Sequence, residues 1–203
     1  MSVVVREGSL EEVVSVVEQI SEFAKKESIA SLSERLTGKK NLILVAEESG
    51  VLLGFKIGYE LDQHTFYSWF GGVSPLARNK GVAQAQLDVQ EQWVQEQGYR
   101  QLKVKSRNQF PAMLRLLLRN GYLIEKFEEK EDINDHRIHF LKQIWTLSLT
   151  VYKLNEIYYH LIVDYQMRII IINFVLGNEE MFTRMLSTQV STWLPNRILA
   201  NLY

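Results

Sequence analysis

Apolar positions follow a period of about four and a period of two in alternating stretches of the first 143 residues, and lose that order afterwards. The capping box Ser9-Leu-Glu-Glu12 is followed by Leu10, Val13, Val14, Val17, Ile20 and Ala24 at helical spacing, which predicts a helix to about Lys25. A β-branched run at residues 2–6 precedes it, and residues 28–36 read as a second short helix stopped by Gly38. Residues 41–47 and 51–61 read as strands joined by a hairpin turn at residues 48–50, and residues 62–64 turn the chain into an aromatic strand at 66–73. A helix at residues 82–97 carries a wide apolar arc (Val82, Ala85, Leu87, Val89, Trp93, Val94), as one packed on a sheet and a neighbour would. Leu102 and Val104 mark the next strand. Asn108 is placed to cap a further helix with Pro111 in its first turn, and Asn120-Gly121 to end it. Residues 122–127 and 137–142 close the pattern as two strands around a charged turn.

From Ile144 the chain is rich in Ile, Leu, Tyr and Asn with few charges. Residues 157–176 are long enough to span a bilayer, but His160, Asp164, Arg168 and Asn173 interrupt them, so no membrane is expected as a partner. Whether residues 168–176 form strand or helix stays open, since the run is β-branched yet lies in a stretch of helical length. Asn178-Glu-Glu-Met reads as a capped helix start. The expected organisation is a folded domain over residues 1–143 and a hydrophobic extension over 144–203. Because such an apolar surface is rarely left bare, the extension is expected either to pack on its own domain or to pair with a second copy, two-fold pairing being the favoured case.

Composition removes several function classes. The 203 residues carry a formal net charge of −1, which gives no electrostatic case for binding nucleic acid. There is no cysteine, so disulfides, thiolate chemistry and cysteine-bound metals are excluded, and the four histidines lack metal-ligand spacing. No metal is expected. No secretory leader is read at the N-terminus, and a cytoplasmic location is the simplest expectation.

The chemistry concentrates between the aromatic strand and the long helix, in Val73-Ser-Pro75-Leu-Ala-Arg78-Asn79-Lys80-Gly81-Val82-Ala83. At a helix start several backbone N–H groups lack an intrahelical partner and the dipole is positive, so phosphate oxygens are the natural ligand. Gly81 permits close approach of an anion, Ala83 keeps the next turn small, and Arg78 and Lys80 add positive charge. The spacing Arg78-x-x-Gly81-x-Ala83 resembles the acyl-CoA motif of the GNAT superfamily, the Gcn5-related N-acetyltransferases, and the order of elements on both sides is similar to that family's. The resemblance implies an α/β (α+β) fold, a mixed central sheet of six to seven strands flanked by about four helices, with the C-terminal segment as an addition.

It further implies transfer of an acetyl group from acetyl-CoA to a primary amine of a small molecule or peptide. The cofactor would lie in an opening between the fourth and fifth strands, its pantetheine arm along Gly72 and Val73, its pyrophosphate on the amides of residues 78–83, with Asn108 as a further contact. The general base is sought among Glu60, Asp62, His64 and Tyr67, of which His64 has the most suitable intrinsic pKa; Tyr67, like Trp69, either lines the acceptor pocket or fills the core. A tyrosine commonly serves the family as thiolate acid; here that position is Leu117, read as a pocket-edge residue. A non-catalytic acyl-CoA-binding module, or an interaction protein using the extension, stays open as an alternative.

Overall fold

A computed structural model describes residues 3–23, 26–144, 149–155, 158–165 and 168–175. In chain order these form β1 (Val4–Glu7), α1 (Leu10–Val17), α2 (Ile29–Leu36), β2 (Asn41–Glu48), β3 (Val51–Asp62), β4 (Thr65–Val73), α3 (Val82–Glu96), β5 (Gln101–Arg107), α4 (Pro111–Arg119), β6 (Leu123–Glu128) and β7 (Arg137–Gln143). Strands β8 (Leu149–Asn155), β9 (Tyr158–Tyr165) and β10 (Arg168–Val175) follow. The chain divides into two compact units, Met1–Thr146 and Leu147–Tyr203.

The first unit is built on one sheet of seven strands in the order β1-β2-β3-β4-β5-β7-β6. Its pairs are antiparallel except β4 with β5, which α3 connects. One face buries Val13, Val16 and Val17 of α1 and Leu32 and Leu36 of α2 against Phe55, Ile57 and Tyr59. The other buries Leu87 and Val94 of α3 and Leu116 and Leu117 of α4 against Phe66, Leu102, Val104 and Phe140. Each such large apolar side chain contributes roughly 1.5–3 kcal/mol through the area taken from water. In the second unit β10, β9 and β8 pair antiparallel in that order, which resolves residues 168–175 as strand. The expected helix start at Asn178 lies outside the described residues.

Three expectations change. Helix α1 ends at Val17, well short of Lys25: the Gln19 and Ile20 amides donate three residues back, to Val16 and Val17 at 3.0 and 3.1 Å, so the helix tightens into a turn. Ile20 is still buried from that turn, which is why the apolar spacing continued past the helix. The N-cap of α4 is Phe110, not Asn108. Asn108 instead bridges loops, its backbone N–H to the His136 carbonyl at 3.1 Å and its side-chain amide to the Ile133 carbonyl at 3.0 Å. Leu117, expected at a pocket edge, has no solvent exposure and belongs to the α4 core face. Ile144 is also buried in that core, and its N–H donates to the Arg100 carbonyl at 2.8 Å. Among the described residues no helix is long and apolar enough to cross a membrane.

Candidate active site

Strands β4 and β5 pair only over their first halves, from Thr65 with Gln101 to Ser68 with Val104. Beyond that point Phe70 to Val73 pair with β3 alone, while Lys105 to Arg107 pair with β7 alone. A bulge marks the parting: Ile57 opposes Phe70 and Gly58 opposes Ser68, leaving Trp69 as the extra residue. A bulge bends its strand and sharpens the local twist, so β4 is turned away from β5 where the pairing ends. The result is an opening in the middle of the sheet with backbone groups along both edges. Gly71, on the β4 edge, is exposed.

The loop above it supplies the anion site. Pro75–Ala77 form a 3₁₀ turn, Asn79 has a φ of 62°, and Gly81 is the N-cap of α3 with a φ of 80°. A β-carbon on Gly81 would meet nothing within 4 Å, so an anion can come close. Among the described residues, no hydrogen bond outside helices and strands is donated by the amides of residues 79–83, whereas the Arg78 amide reaches Pro75 at 3.4 Å. No acidic residue occupies the first turn of α3. The Arg78 guanidinium is paired with Glu22 at 2.7 Å, and that bond holds the Glu22 carboxyl down at about 2. Arg78 therefore ties the α1–α2 connection to the loop. Lys80 is exposed beside it. Val82 is buried against Ala46 and Ala77 and anchors the helix start.

Gly72 has a packing reason for being glycine: a β-carbon there would lie 2.7 Å from Ile20 and 3.0 Å from Phe23. The connection after α1 thus closes over this part of β4, with Val73 paired to Gly54 beside it.

The candidate bases separate. His64 lies on the turn that starts β4, roughly 13 Å of strand before Ser68, so the structure carries it away from the opening. Its backbone is committed there, the N–H to Asp62 at 2.8 Å and the carbonyl to Arg100 and Gln101. Asp62 is held in that turn, and Glu60 accepts from the Tyr99 hydroxyl at 2.5 Å on the α3 side. Tyr67 alone of the four adjoins the opening. Burial pushes its hydroxyl up to about 12, which makes it a proton donor rather than a base at neutral pH. Asn108 lies beyond the end of β5, tied to residues 133 and 136.

Other polar groups at the opening went unnoticed in the sequence. Lys56 sits opposite Gly71, 6 % exposed, with its methylenes 3.6 Å from where a Gly71 β-carbon would be. Gln86 and Gln90 of α3 pack 3.1 and 3.0 Å from the would-be β-carbons of Gly54 and Gly58 on either side of it. On the α2 face, Arg35, Tyr67, Lys103 and Lys105 line a cavity of about 250 Å³. The strand period could have shown Lys103 and Lys105 sharing a face, because Leu102, Val104 and Ser106 alternate with them.

The profile of the acetyltransferase (GNAT) family matches residues 13–122, more than half of the chain. The chain belongs to that family. The match to this GNAT acetyltransferase spans the loop, the opening and α4. Among solved structures, the chain is similar to the ribosomal-protein alanine N-acetyltransferase of Escherichia coli at 14% identity, over 75% of this chain and 100% of that one, with a TM-score of 0.64. Ard1 of Thermoplasma volcanium is similar at 17% identity, over 71% and 99%, with a TM-score of 0.62. A third, yncA of Salmonella typhimurium with its cofactor acetyl-CoA, is similar at 15% identity, over 71% and 95%, with a TM-score of 0.58. Comparison with curated proteins gave no match. Such identities establish the fold: the mixed seven-stranded sheet with four helices is the GNAT fold, which binds acetyl-CoA. Among the described residues no group of His, Asp and Glu is arranged to hold a metal ion.

Proposed function

We propose that this GNAT acetyltransferase transfers the acetyl group of acetyl-CoA to a primary amine at the opening between β4 and β5. The observation that carries the reading is the conjunction of that opening with a helix-start loop whose amides, residues 79–83, donate no hydrogen bond outside helices and strands among the described residues. The amides of residues 79–83 and the α3 dipole would receive the pyrophosphate, with Lys80 adding charge. Residues 69–73 form a strand edge left without a partner on the β5 side, to which an extended, amide-bearing arm adds as a further strand would, and Gly72 and Val73 are its upper part. Asn108, at the far lip, is the remaining candidate contact.

Acetyl-CoA brings an activated acyl group, so the protein's part is to hold the amine, donate to the developing oxyanion and manage two protons. An outward amide of β4 near Gly72 and Val73 is suited to the oxyanion, since it needs no reorganisation. Tyr67 keeps its proton and can orient the amine or donate. No carboxylate or imidazole of the β3–β4 turn reaches the opening, so deprotonation of the ammonium is assigned to solvent entering from the α2 face. The free thiol has a pKa near that of cysteine, about 8.5, and so leaves without a dedicated acid at Leu117.

Calorimetry with CoA and acetyl-CoA, followed by thiol release with a panel of amines, tests the reading. Micromolar CoA binding and amine-dependent thiol release are expected. CoA binding with no release for any amine would favour a binding module; no CoA binding would end the assignment.

A further inference from the structure

We propose that the acceptor is a small amine bearing a carboxylate, an amino acid being the simplest case, held through Arg35 and Lys105 at the α2-side mouth of the opening. The proposal rests on the acetyltransferase reading above and adds the chemical class of its acceptor.

The cavity of about 250 Å³ has Tyr67, Lys103 and Lys105 along its inner wall. Those residues straddle the last β4–β5 pair, Ser68 with Val104, so this cavity meets the opening from the face opposite α3. Its volume lies just below the usual range for small-molecule sites, which suits an acceptor of amino-acid size.

Charge decides the class. Three fixed cations line the cavity, Arg35, Lys103 and Lys105, against one carboxylate, Glu125, an excess of two positive charges among these four groups. Glu125 is already paired with Lys103 at 2.7 Å. The nearby Glu128 is paired too, with Lys130 at 2.6 Å and His139 at 2.9 Å. Among the described residues, Arg35 and Lys105 have no carboxylate within ion-pair distance. A diamine or polyamine would bring more positive charge into this field, and like charges brought together at a site are strongly disfavoured. A carboxylate on the acceptor reverses the sign of the interaction.

Arg35 is also held in place. Its guanidinium donates to the Tyr59 hydroxyl at 2.9 Å and lies over the rings of Tyr59 and Trp69, 5.5 and 5.4 Å from their centroids. That bond uses one of five N–H donors, and the rest of the planar fork is free to take a carboxylate side-on. Trp69 is the bulge residue at which the strands part, so the anchor for the acid group is set by the same feature that creates the opening.

The test uses amino acids, their C-terminal amides and a simple diamine, each with the full chain loaded with CoA or acetyl-CoA. In calorimetry on the CoA-bound protein, the acids should bind at least tenfold tighter than the amides. Arg35→Gln and Lys105→Gln should each shrink that ratio towards one. In turnover the same ratio should appear in kcat/KM, with the loss in the variants carried by KM. Equal binding of acids and amides, tighter binding of the diamine, or a ratio unmoved in both variants overturns the proposal. The binding arm decides it even if no amine is acetylated, and that absence of turnover would count against the transferase reading alone.

Discussion

Replacing Lys56 by Met should remove a pH dependence of stability that the buried ammonium imposes. Lys56 lies on β3 under α3, 6 % exposed, and burial pulls its pKa from 10.5 down to about 8, with the Glu91 carboxylate only partly opposing. Between those two values the unfolded chain binds more protons than the folded one, so stability rises with pH across the window. At pH 7 both states are protonated, and the lowering from 10.5 to about 8 corresponds to roughly 3 kcal/mol held against the fold. Raising the pH to 9.5 recovers about 2 kcal/mol of this from the one group. The window stops there because Tyr67, pushed up to about 12, acts in the opposite sense as unfolded tyrosines ionise above about 10. Met has similar length and no charge. Urea unfolding followed by tryptophan fluorescence at pH 7 and 9.5 should give a variant more stable than the parent at pH 7, with the advantage smaller by about 2 kcal/mol at pH 9.5. A difference between the two proteins that is constant across this range would refute the reasoning and mean that water reaches the ammonium.

Gly81→Val should lower CoA affinity at least tenfold, about 1.4 kcal/mol, by putting a branched side chain where phosphate must approach, as calorimetry on the folded protein would read. The left-handed φ of 80° at that position adds a stability cost of roughly 1 kcal/mol. Leu117→Tyr should destabilise by roughly 1–3 kcal/mol rather than supply an acid, because the side chain is fully enclosed; thermal melts decide it. Gly72→Val should displace Ile20 and Phe23 and lower both the melting temperature and CoA binding, since its β-carbon would lie 2.7 Å from Ile20. A chain ending at Thr146 should stay folded and bind CoA, while any dimer seen by light scattering for the full chain falls to monomer.

Local rules carried much of this protein. The capping box at Ser9, the alternation along β2 and β3, and the glycine at the start of α3 each depend on neighbours within a few residues, so their elements were legible and so was the place of the loop between β4 and α3. Two errors came from the same locality. Apolar spacing through Ile20 cannot distinguish a helix from a turn that buries the same residues, and an asparagine before a proline looks like a cap whether its amide turns inward or bridges to another loop. What only the tertiary structure decided depends on pairings between distant segments. His64 and Tyr67 are three residues apart, yet the place where β4 leaves β5 puts one at the opening and the other at the opposite end of the strand. Lys56 is an ordinary strand lysine until Gly54, Gly58 and α3 enclose it. Arg35 becomes an anchor only because the sheet brings Tyr59 and Trp69 beneath it, and its charge finds no carboxylate there because Glu125 and Glu128 are already taken by Lys103, Lys130 and His139.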